Sequence, residues 1–239
     1  MNKTRFKENS GTACIHLLFV CILITMHMPS GQASSKCYGS VSDGSLQSGK
    51  KLPVEGDNYQ TYSQLGSLLG RTYVHSVVHN IVLETYSRLY ESHPQWRFTY
   101  GETGFEQGGP FSPHKTHQNG LSVDFFVPIN DQDNQSVFFP ADVSNKLGYA
   151  FEFSPIGSGD GLTINFEAMA KHLMYLDQVS KEMGYGVKKV IFDPTLQQLL
   201  FDTQAGAYLK KNIQFNKNPV WVRHDEHYHV DFDVACDAL

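Results

Sequence analysis

Apolar residues recur at helical spacing in two stretches of the chain. The first runs from Thr72 to Glu91 without Pro or Gly, and its spacing predicts an amphipathic helix. Its apolar positions are Val74, Val77, Val78, Ile81, Val82 and Leu89. The second predicted helix covers Asn165 to Met183, where Asn165 is a suitable N-cap and Gly184 a suitable stop.

Four short stretches rich in β-branched and aromatic residues predict strands. They are Arg97 to Tyr100, Leu121 to Val127, Val187 to Phe192 and His227 to Val234. A short helix is predicted to begin at Asp193 and Pro194. Because helices and strands do not alternate regularly, the pattern favours a single α+β domain with a small, mainly antiparallel sheet and flanking helices.

Polar, Gly-rich and Pro-rich segments separate these elements. Tyr38 to Gln60 has few apolar residues and is predicted to be an extended arm that lies on the core. Two long segments, Glu106 to Lys115 and Asp131 to Asp160, are expected to be loops that border a functional site.

The N-terminus has the composition of a secretory signal peptide. A basic MNKTRFK stretch precedes the apolar run from Cys14 to Met28, and small residues end at Ala33. The run is shorter than the roughly 20 residues that span a bilayer, so a retained anchor helix is the weaker alternative. We therefore expect residues 1–33 to be cleaved near Ala33 and residues 34–239 to form an exported domain without stable membrane insertion.

Removal of the signal leaves two cysteines, Cys37 and Cys236, one at each end of the mature chain. Two cysteines in an oxidising compartment favour one disulfide bond. Two unpaired thiols in the terminal tails remain the alternative.

Charge gives little support to a nucleic-acid partner. The formal net charge is −5, and Lys and Arg do not form a stripe that could neutralise phosphates.

Histidines are concentrated in two short motifs. His114 and His117 lie in the first, and His224, His227 and His229 lie in the second. The remaining histidines of the mature chain have simpler interpretations. His93 and His172 are expected to be hydrogen-bonded core residues. The H-x-x-x-H pair His75 and His79 lacks the Glu of zinc peptidases, so both are expected at the surface or behind a site.

The two motifs together predict a metal site. His227 and His229 lie on one face of a strand, and a turn at Asn119 and Gly120 can fold His117 back towards Asp124. Binding by His117, Asp124 and His229 gives two imidazoles and one carboxylate, which suits one catalytic Zn²⁺ with an open position for water. The alternative is that Asp124 pairs with a neighbouring histidine without a metal.

The stretches GGPFSPHKTHQNGLSVDFF and HDEHYHV resemble the penicillin-insensitive murein endopeptidases, which share H-x6-D and H-x-H with D-alanyl-D-alanine metallopeptidases and lysostaphin-like enzymes. The resemblance implies a periplasmic zinc hydrolase that cuts the D-alanyl to meso-diaminopimelyl cross-link of peptidoglycan through a zinc-bound water. It implies the same three ligands. It makes His114 an accompanying histidine beside the metal or on the substrate side, and His224 a catalytic residue. Lys115 departs from the wider superfamily, which often has Ser there.

A general base is still required for this chemistry. Glu226 has a suitable side chain, but strand alternation predicts that it points away from His227 and His229. We therefore expect His227 to act as the base or to orient the water. Two alternatives stay open from the sequence: a non-catalytic zinc-containing cell-wall binding module, and a D,D-carboxypeptidase of the same superfamily.

Overall fold

The computed structural model describes Met1, residues 34–220 and residues 222–239. Apart from Met1, the predicted signal peptide at 1–33 lies outside the described residues. Residues 34–239 belong to one compact unit with an α+β fold, as the sequence predicts. Within the described part of the chain, we find no helix with the length and apolar character that a membrane crossing requires.

The described residues form strands, helices and one 3-10 turn. In chain order the strands are β1 (Lys36–Ser40), β2 (Asp43–Gln47), β3 (Lys50–Lys51), β4 (Tyr59–Thr61), β5 (Tyr73–Val74), β6 (Phe98–Tyr100), β7 (Ser122–Phe126), β8 (Ile129–Asn130), β9 (Ser136–Val137), β10 (Ser158–Gly159), β11 (Leu162–Ile164), β12 (Gly186–Ile191) and β13 (His227–Asp233). The α-helices are α1 (Gln64–Leu68), α2 (Ser76–Ser92), α3 (Phe166–Glu182), α4 (Gln197–Phe201) and α5 (Gly206–Asn212), and Val143–Asn145 form the 3-10 helix.

The central sheet has five strands in the spatial order β12, β13, β7, β6 and β4. All neighbouring pairs are antiparallel except β4 and β6, which are parallel. The four predicted strands are all present, with ends within one residue of the prediction. A four-stranded sheet of β8 to β11 and two antiparallel pairs, β1 with β2 and β3 with β5, complete the β structure.

Two long helices cover one face of the central sheet. Helix α3 follows the sequence prediction closely, because the Asn165 side chain accepts a hydrogen bond from Ala168 N–H and Gly184 follows the last turn with a φ of 84°. Helix α2 begins at Ser76 rather than at Thr72, so that boundary was wrong. Tyr73–Val74 instead pairs with β3, and the His75 side chain caps the helix by accepting from Val77 N–H.

The core lies between these helices and the sheet. Helix α2 packs on α3, and Ile81 of α2, Leu173 of α3 and Val230 of β13 are all fully buried. Strand β13 is buried on both faces along most of its length, and its side chains alternate. Tyr228 faces α3, where it contacts His172, while His227 and His229 face the opposite side.

The predicted arm at Tyr38–Gln60 is more regular than expected. It supplies the β1–β2 hairpin, strand β3 and strand β4, which joins the central sheet. The predicted disulfide bond between Cys37 and Cys236 is confirmed, and it ties β1 to the C-terminus. Next to it, Gly39 N–H donates to the Asp237 carbonyl at 2.8 Å. The two ends of the domain are therefore joined covalently and by backbone hydrogen bonds.

The short helix expected at Asp193 and Pro194 begins later, at Gln197. Asp193 instead opens a turn, because its carbonyl accepts from Leu196 N–H and its side chain accepts from Thr195 N–H. Its second carboxylate oxygen lies 2.7 Å from Arg223 Nε. Asp193 thus braces the segment that leads into β13.

Candidate metal centre

His117 lies in a loop whose backbone is held on both sides. Its φ of 68° is in the left-handed region, which a non-glycine residue adopts only when its surroundings fix it. Gln118 N–H donates to the Val41 carbonyl at 3.0 Å, so the N-terminal arm braces the loop. The buried His117 ring lies with Nδ1 at 3.2 Å from the Thr103 carbonyl. These contacts aim Nε2 towards β7.

Asp124 and His229 occupy paired positions on β7 and β13. Asp124 Oδ1 lies 2.9 Å from His229 Nδ1, and both side chains are buried. On the other side of the ring, His229 Nε2 lies 2.8 Å from Asp231 Oδ1, which also accepts from the Ser122 hydroxyl at 2.6 Å. Burial alone would lower the pKa of His229, but Asp231 and Asp124 outweigh it and raise that pKa to about 10. The space between the two carboxylates therefore favours a positive charge.

Asp124 Oδ1 faces a second imidazole nitrogen, since His117 Nε2 lies 3.2 Å from it. Burial by itself raises the pKa of Asp124, but the His117 and His227 imidazoles outweigh it and hold that pKa well below its usual range. The carboxylate is therefore ionised at neutral pH.

The tautomer of His117 tests whether this group of side chains suits a metal ion. The Thr103 carbonyl can only accept, so Nδ1 carries the proton of a neutral ring and Nε2 keeps a lone pair. Among the described residues, that buried Nε2 has no hydrogen-bond partner. A lone pair that faces an ionised carboxylate oxygen in a buried space is the donor arrangement of a cation site, so the residues fit a metal.

His114 belongs to the same group. Suitable ligand atoms of His114, His117 and Asp124 all lie within 4.8 Å of one another, so this trio could hold a metal ion. His114 Nδ1 is 3.7 Å from Asp124 Oδ2, and its Nε2 is 2.5 Å from Glu102 Oε2. The sequence prediction placed His114 beside the metal or on the substrate side. This geometry also allows His114, as an alternative to His229, to be the third metal ligand.

Glu102 organises one wall of the site. Arg71 binds both of its carboxylate oxygens, and the Tyr62 hydroxyl donates to Oε1 at 2.8 Å. Burial alone would raise the pKa of Glu102, but the bonds to His114 and Arg71 outweigh it and lower that pKa to about 2. Glu102 therefore stays ionised and fixes the orientation of the His114 ring.

His227 faces the same space from β13, with Nε2 3.8 Å from Asp124 Oδ2. The prediction that Glu226 points away was wrong, because Glu226 precedes the strand and lies in a bend. Its Oε1 is 2.8 Å from His227 Nδ1, and its carbonyl accepts from Val127 N–H at 3.0 Å. Strand alternation does not apply to a residue outside the strand.

His224 lies next to His227, with ring centroids 4.5 Å apart. Its Nδ1 is 2.7 Å from the Val222 carbonyl. Burial, followed by the neighbouring His227, lowers the pKa of His224 to about 4. All five histidines of the two motifs therefore lie in or beside one site.

These groups line a pocket of about 620 Å³. The pocket also includes Tyr149, from the loop that follows the 3-10 helix, and its hydroxyl lies 3.2 Å from Asp124 Oδ2. Neither Tyr149 nor Glu102 was found from the sequence, because only tertiary contacts bring them to the site. Asp231 carries a signal that was overlooked, since it continues the alternation of His227 and His229 along β13.

The other histidines are not in the site. His172 is a buried core residue whose Nδ1 is hydrogen-bonded to the Tyr228 hydroxyl at 2.7 Å, as expected. His93 was expected in the core, but it is only half-buried at the end of α2, where it stacks on Trp96. His75 is a helix cap and is buried rather than exposed.

An α+β domain with buried imidazoles and a carboxylate in one pocket forms a candidate metal centre. A sequence model of the family described as penicillin-insensitive murein endopeptidase matches residues 37–238, and the chain belongs to that family. The chain is therefore a peptidase of a family whose substrate is murein, that is, peptidoglycan. A comparison with curated proteins finds no match to this chain.

Proposed function

We propose that the chain is an exported zinc-dependent endopeptidase that hydrolyses the D-alanyl to meso-diaminopimelyl cross-link of peptidoglycan. Family membership supports the substrate. The observation that carries the metal-dependent chemistry is the buried Asp124 Oδ1, which faces His117 Nε2 at 3.2 Å and His229 Nδ1 at 2.9 Å. No serine nucleophile is needed in this proposal, which accounts for insensitivity to penicillin.

His117 Nε2, Asp124 Oδ1 and His229 Nδ1 would hold one Zn²⁺ per chain. The Thr103 carbonyl and the Asp231 carboxylate hold the far nitrogens of the two rings, as is usual for metal-binding histidines. His114 is the alternative to His229 as third ligand. Zinc bound there would act as a Lewis acid, which lowers the pKa of water to about 7 and polarises a peptide carbonyl.

His227 is the proposed general base. The Glu226 carboxylate at Nδ1 fixes that nitrogen as the protonated one, so Nε2 is available to take a proton. Nε2 faces the pocket, where it would take the proton of the attacking water and pass it to the leaving amine. His224, whose ring lies beside His227, is the proposed second catalytic histidine.

The pocket lining includes apolar side chains that suit the methyl group of a D-alanyl residue. Leu147, Ile191 and Val222 belong to this lining together with histidines and Glu102. A small apolar side chain would therefore find aliphatic carbon in the same pocket as the polar groups that would face the peptide carbonyl.

Export to the periplasm is part of the proposal. The Cys37–Cys236 disulfide is typical of an oxidising compartment, and peptidoglycan lies outside the cytoplasmic membrane. N-terminal sequencing of the protein recovered from the periplasm would test cleavage near Ala33.

The test of the activity is to incubate the protein, expressed from its full-length sequence, with purified cross-linked muropeptides with and without a chelator. We expect conversion of dimers to monomers that chelation abolishes and added zinc restores. Asp124→Asn should abolish conversion, whereas His79→Gln, a histidine change outside the pocket, should not. Release of terminal D-alanine would instead indicate a carboxypeptidase, and zinc-loaded protein that cleaves nothing would indicate a binding module.

A further inference from the structure

Tyr149 comes from the loop that follows the 3-10 helix, and its ring enters the pocket beside Asp124. The ring makes edge-to-face contacts with Phe126 and His227, with centroids 5.0 Å and 5.1 Å apart. We propose that Tyr149 is a positioning residue, which holds the Asp124 carboxylate in the orientation that binds a metal ion. This inference rests on the metal site of the proposed function.

The hydrogen bonds of the Tyr149 hydroxyl have a fixed direction. Glu102 N lies 3.0 Å from Oη, and because a backbone N–H can only donate, Oη accepts this bond. The hydroxyl proton is then directed to Asp124 Oδ2, which lies 3.2 Å from Oη and accepts as an ionised oxygen. His114 Nδ1 and His227 Nε2 are 3.7 Å and 3.8 Å from the same oxygen, which is too long for a hydrogen bond.

The two oxygens of Asp124 therefore have different partners. Oδ2 receives the hydroxyl of Tyr149, and Oδ1 faces His117 Nε2 and His229 Nδ1. The terminal torsion of an aspartate is broad, so the side chain alone does not fix the plane of the carboxylate. The Tyr149 hydroxyl holds one oxygen, which helps to fix that plane and leaves Oδ1 available to the metal.

Gly101 provides the space that the hydroxyl occupies. A Cβ atom at position 101 would lie 2.6 Å from Tyr149 Oη and 3.1 Å from Asp124 Cβ. The absence of a side chain there allows the hydroxyl to reach Asp124 past the end of β6. Gly101 N–H also donates to the Asp124 carbonyl at 2.7 Å, which fixes the backbone on the same side.

Tyr149→Phe tests this role because it removes the hydroxyl and keeps the ring. Loss of a group that orients a metal ligand typically lowers metal affinity about 10–100-fold, and we expect a loss in that range for Zn²⁺. The dissociation constant would be measured by competition with a chromophoric chelator. The absorption bands of Co²⁺-loaded protein should shift as well, because the carboxylate is no longer held in one orientation.

Tyr208→Phe is a matched control. The Tyr208 hydroxyl donates to Asp177 Oδ2 at 2.7 Å on the helix layer, so the change also removes one bond between a tyrosine and a carboxylate. Zinc affinity and the Co²⁺ spectrum should not change in this variant. Gly101→Ala adds a second test. The loss of zinc affinity that it causes should be smaller in the Tyr149→Phe variant than in the wild type.

The experiment uses protein expressed from the full-length sequence, with thermal unfolding of the metal-free form measured beside zinc affinity. Weaker zinc binding by Tyr149→Phe with an unchanged unfolding temperature supports the proposal. Wild-type zinc affinity in that variant overturns it. The proposal is also overturned if Gly101→Ala lowers zinc affinity equally in the wild type and in Tyr149→Phe. If wild-type protein binds zinc but cleaves no muropeptide, the endopeptidase proposal fails and the Tyr149 result still decides this one. Wild-type protein that binds no zinc overturns both.

Discussion

His229 and Asp124 face each other across paired positions of two adjacent antiparallel strands, with Nδ1 2.9 Å from Oδ1. The register of the central sheet sets this contact, so its geometry is as rigid as the sheet. His117 arrives from a loop and is held by the Thr103 carbonyl and by the N-terminal arm. The candidate metal site therefore combines a sheet-borne pair with one braced loop residue.

The identity of the third ligand can be tested by comparing His229→Ala with His114→Ala. Asp124 Oδ1 faces both His117 and His229, whereas His114 is 3.7 Å from the other oxygen, so we expect His229→Ala to lose zinc and His114→Ala to keep it. Zinc per chain after dialysis, measured by atomic emission, checks this. The reverse result would assign the third ligand to His114.

The role of His227 predicts a separation of metal binding from turnover. His227→Ala should retain zinc and lose rate on the order of 100-fold to 10,000-fold, the usual range for a positioned acid or base. Glu226→Ala should lower the rate less, because Nε2 remains and only its orientation is lost. Muropeptide turnover by zinc-loaded variants is the measurement, and full activity of His227→Ala would show that another group is the base.

Local patterns in the sequence were enough to predict the strands of the site and the turn before β7. Strand alternation placed His227 and His229 on one face, and the turn before β7 brought His117 to Asp124. The same rule failed at Glu226, because the chain bends one residue before β13 begins. A period of two describes strand residues only, and the residue where a strand begins is the least certain part of a prediction.

Contacts between distant segments were beyond any local pattern. Tyr149 lies in a Gly-rich loop without a regular period, and its place at Asp124 depends on Gly101 across the sheet. The parallel pairing of β4 with β6 was missed for a similar reason, because three residues in a polar arm carry little strand signal. Tertiary packing decided both features.

We expect loss of the disulfide bond to have a large effect on stability and a small effect on the native site. Cys37 and Cys236 are 199 positions apart, so the loop model gives about 5 kcal/mol of stabilisation as an upper value. Replacing both cysteines with Ser should lower the free energy of unfolding by up to that amount. The backbone hydrogen bonds of Asp237 with Gly39 N–H and with the carbonyl of residue 37 remain, so muropeptide turnover at low temperature should change little. Urea unfolding of the two proteins measures the difference, and equal midpoints would contradict the prediction.

His172 is a buried titratable group on the helix side of the sheet. It lies among aromatic rings, with centroids 4.7 Å from Phe125 and 5.4 Å from Phe98, and its Nδ1 is hydrogen-bonded to the Tyr228 hydroxyl. Burial lowers the pKa of His172 to about 3. The neutral ring is therefore the form that the core accommodates.

This depressed pKa predicts an acid-dependent loss of stability. An unfolded histidine has a pKa of about 6.5, so the unfolded chain takes up a proton that the native core excludes. The contribution is complete above about pH 6.5, and it is lost as the pH falls towards the native pKa of about 3. Between pH 7 and pH 5 this amounts to about 2 kcal/mol.

The variant that isolates this effect replaces both hydrogen-bonded partners, His172→Phe together with Tyr228→Phe, so that neither is left unsatisfied in the core. Urea unfolding in the presence of a chelator, at pH 7 and pH 5, gives the loss of unfolding free energy for each protein. The wild type should lose about 2 kcal/mol more than the double variant, since only the wild type excludes this proton from its folded core. His79→Gln, which changes a half-exposed histidine of α2, should keep the wild-type dependence. An equal loss in the wild type and the double variant would mean that the folded core does not exclude a proton from His172.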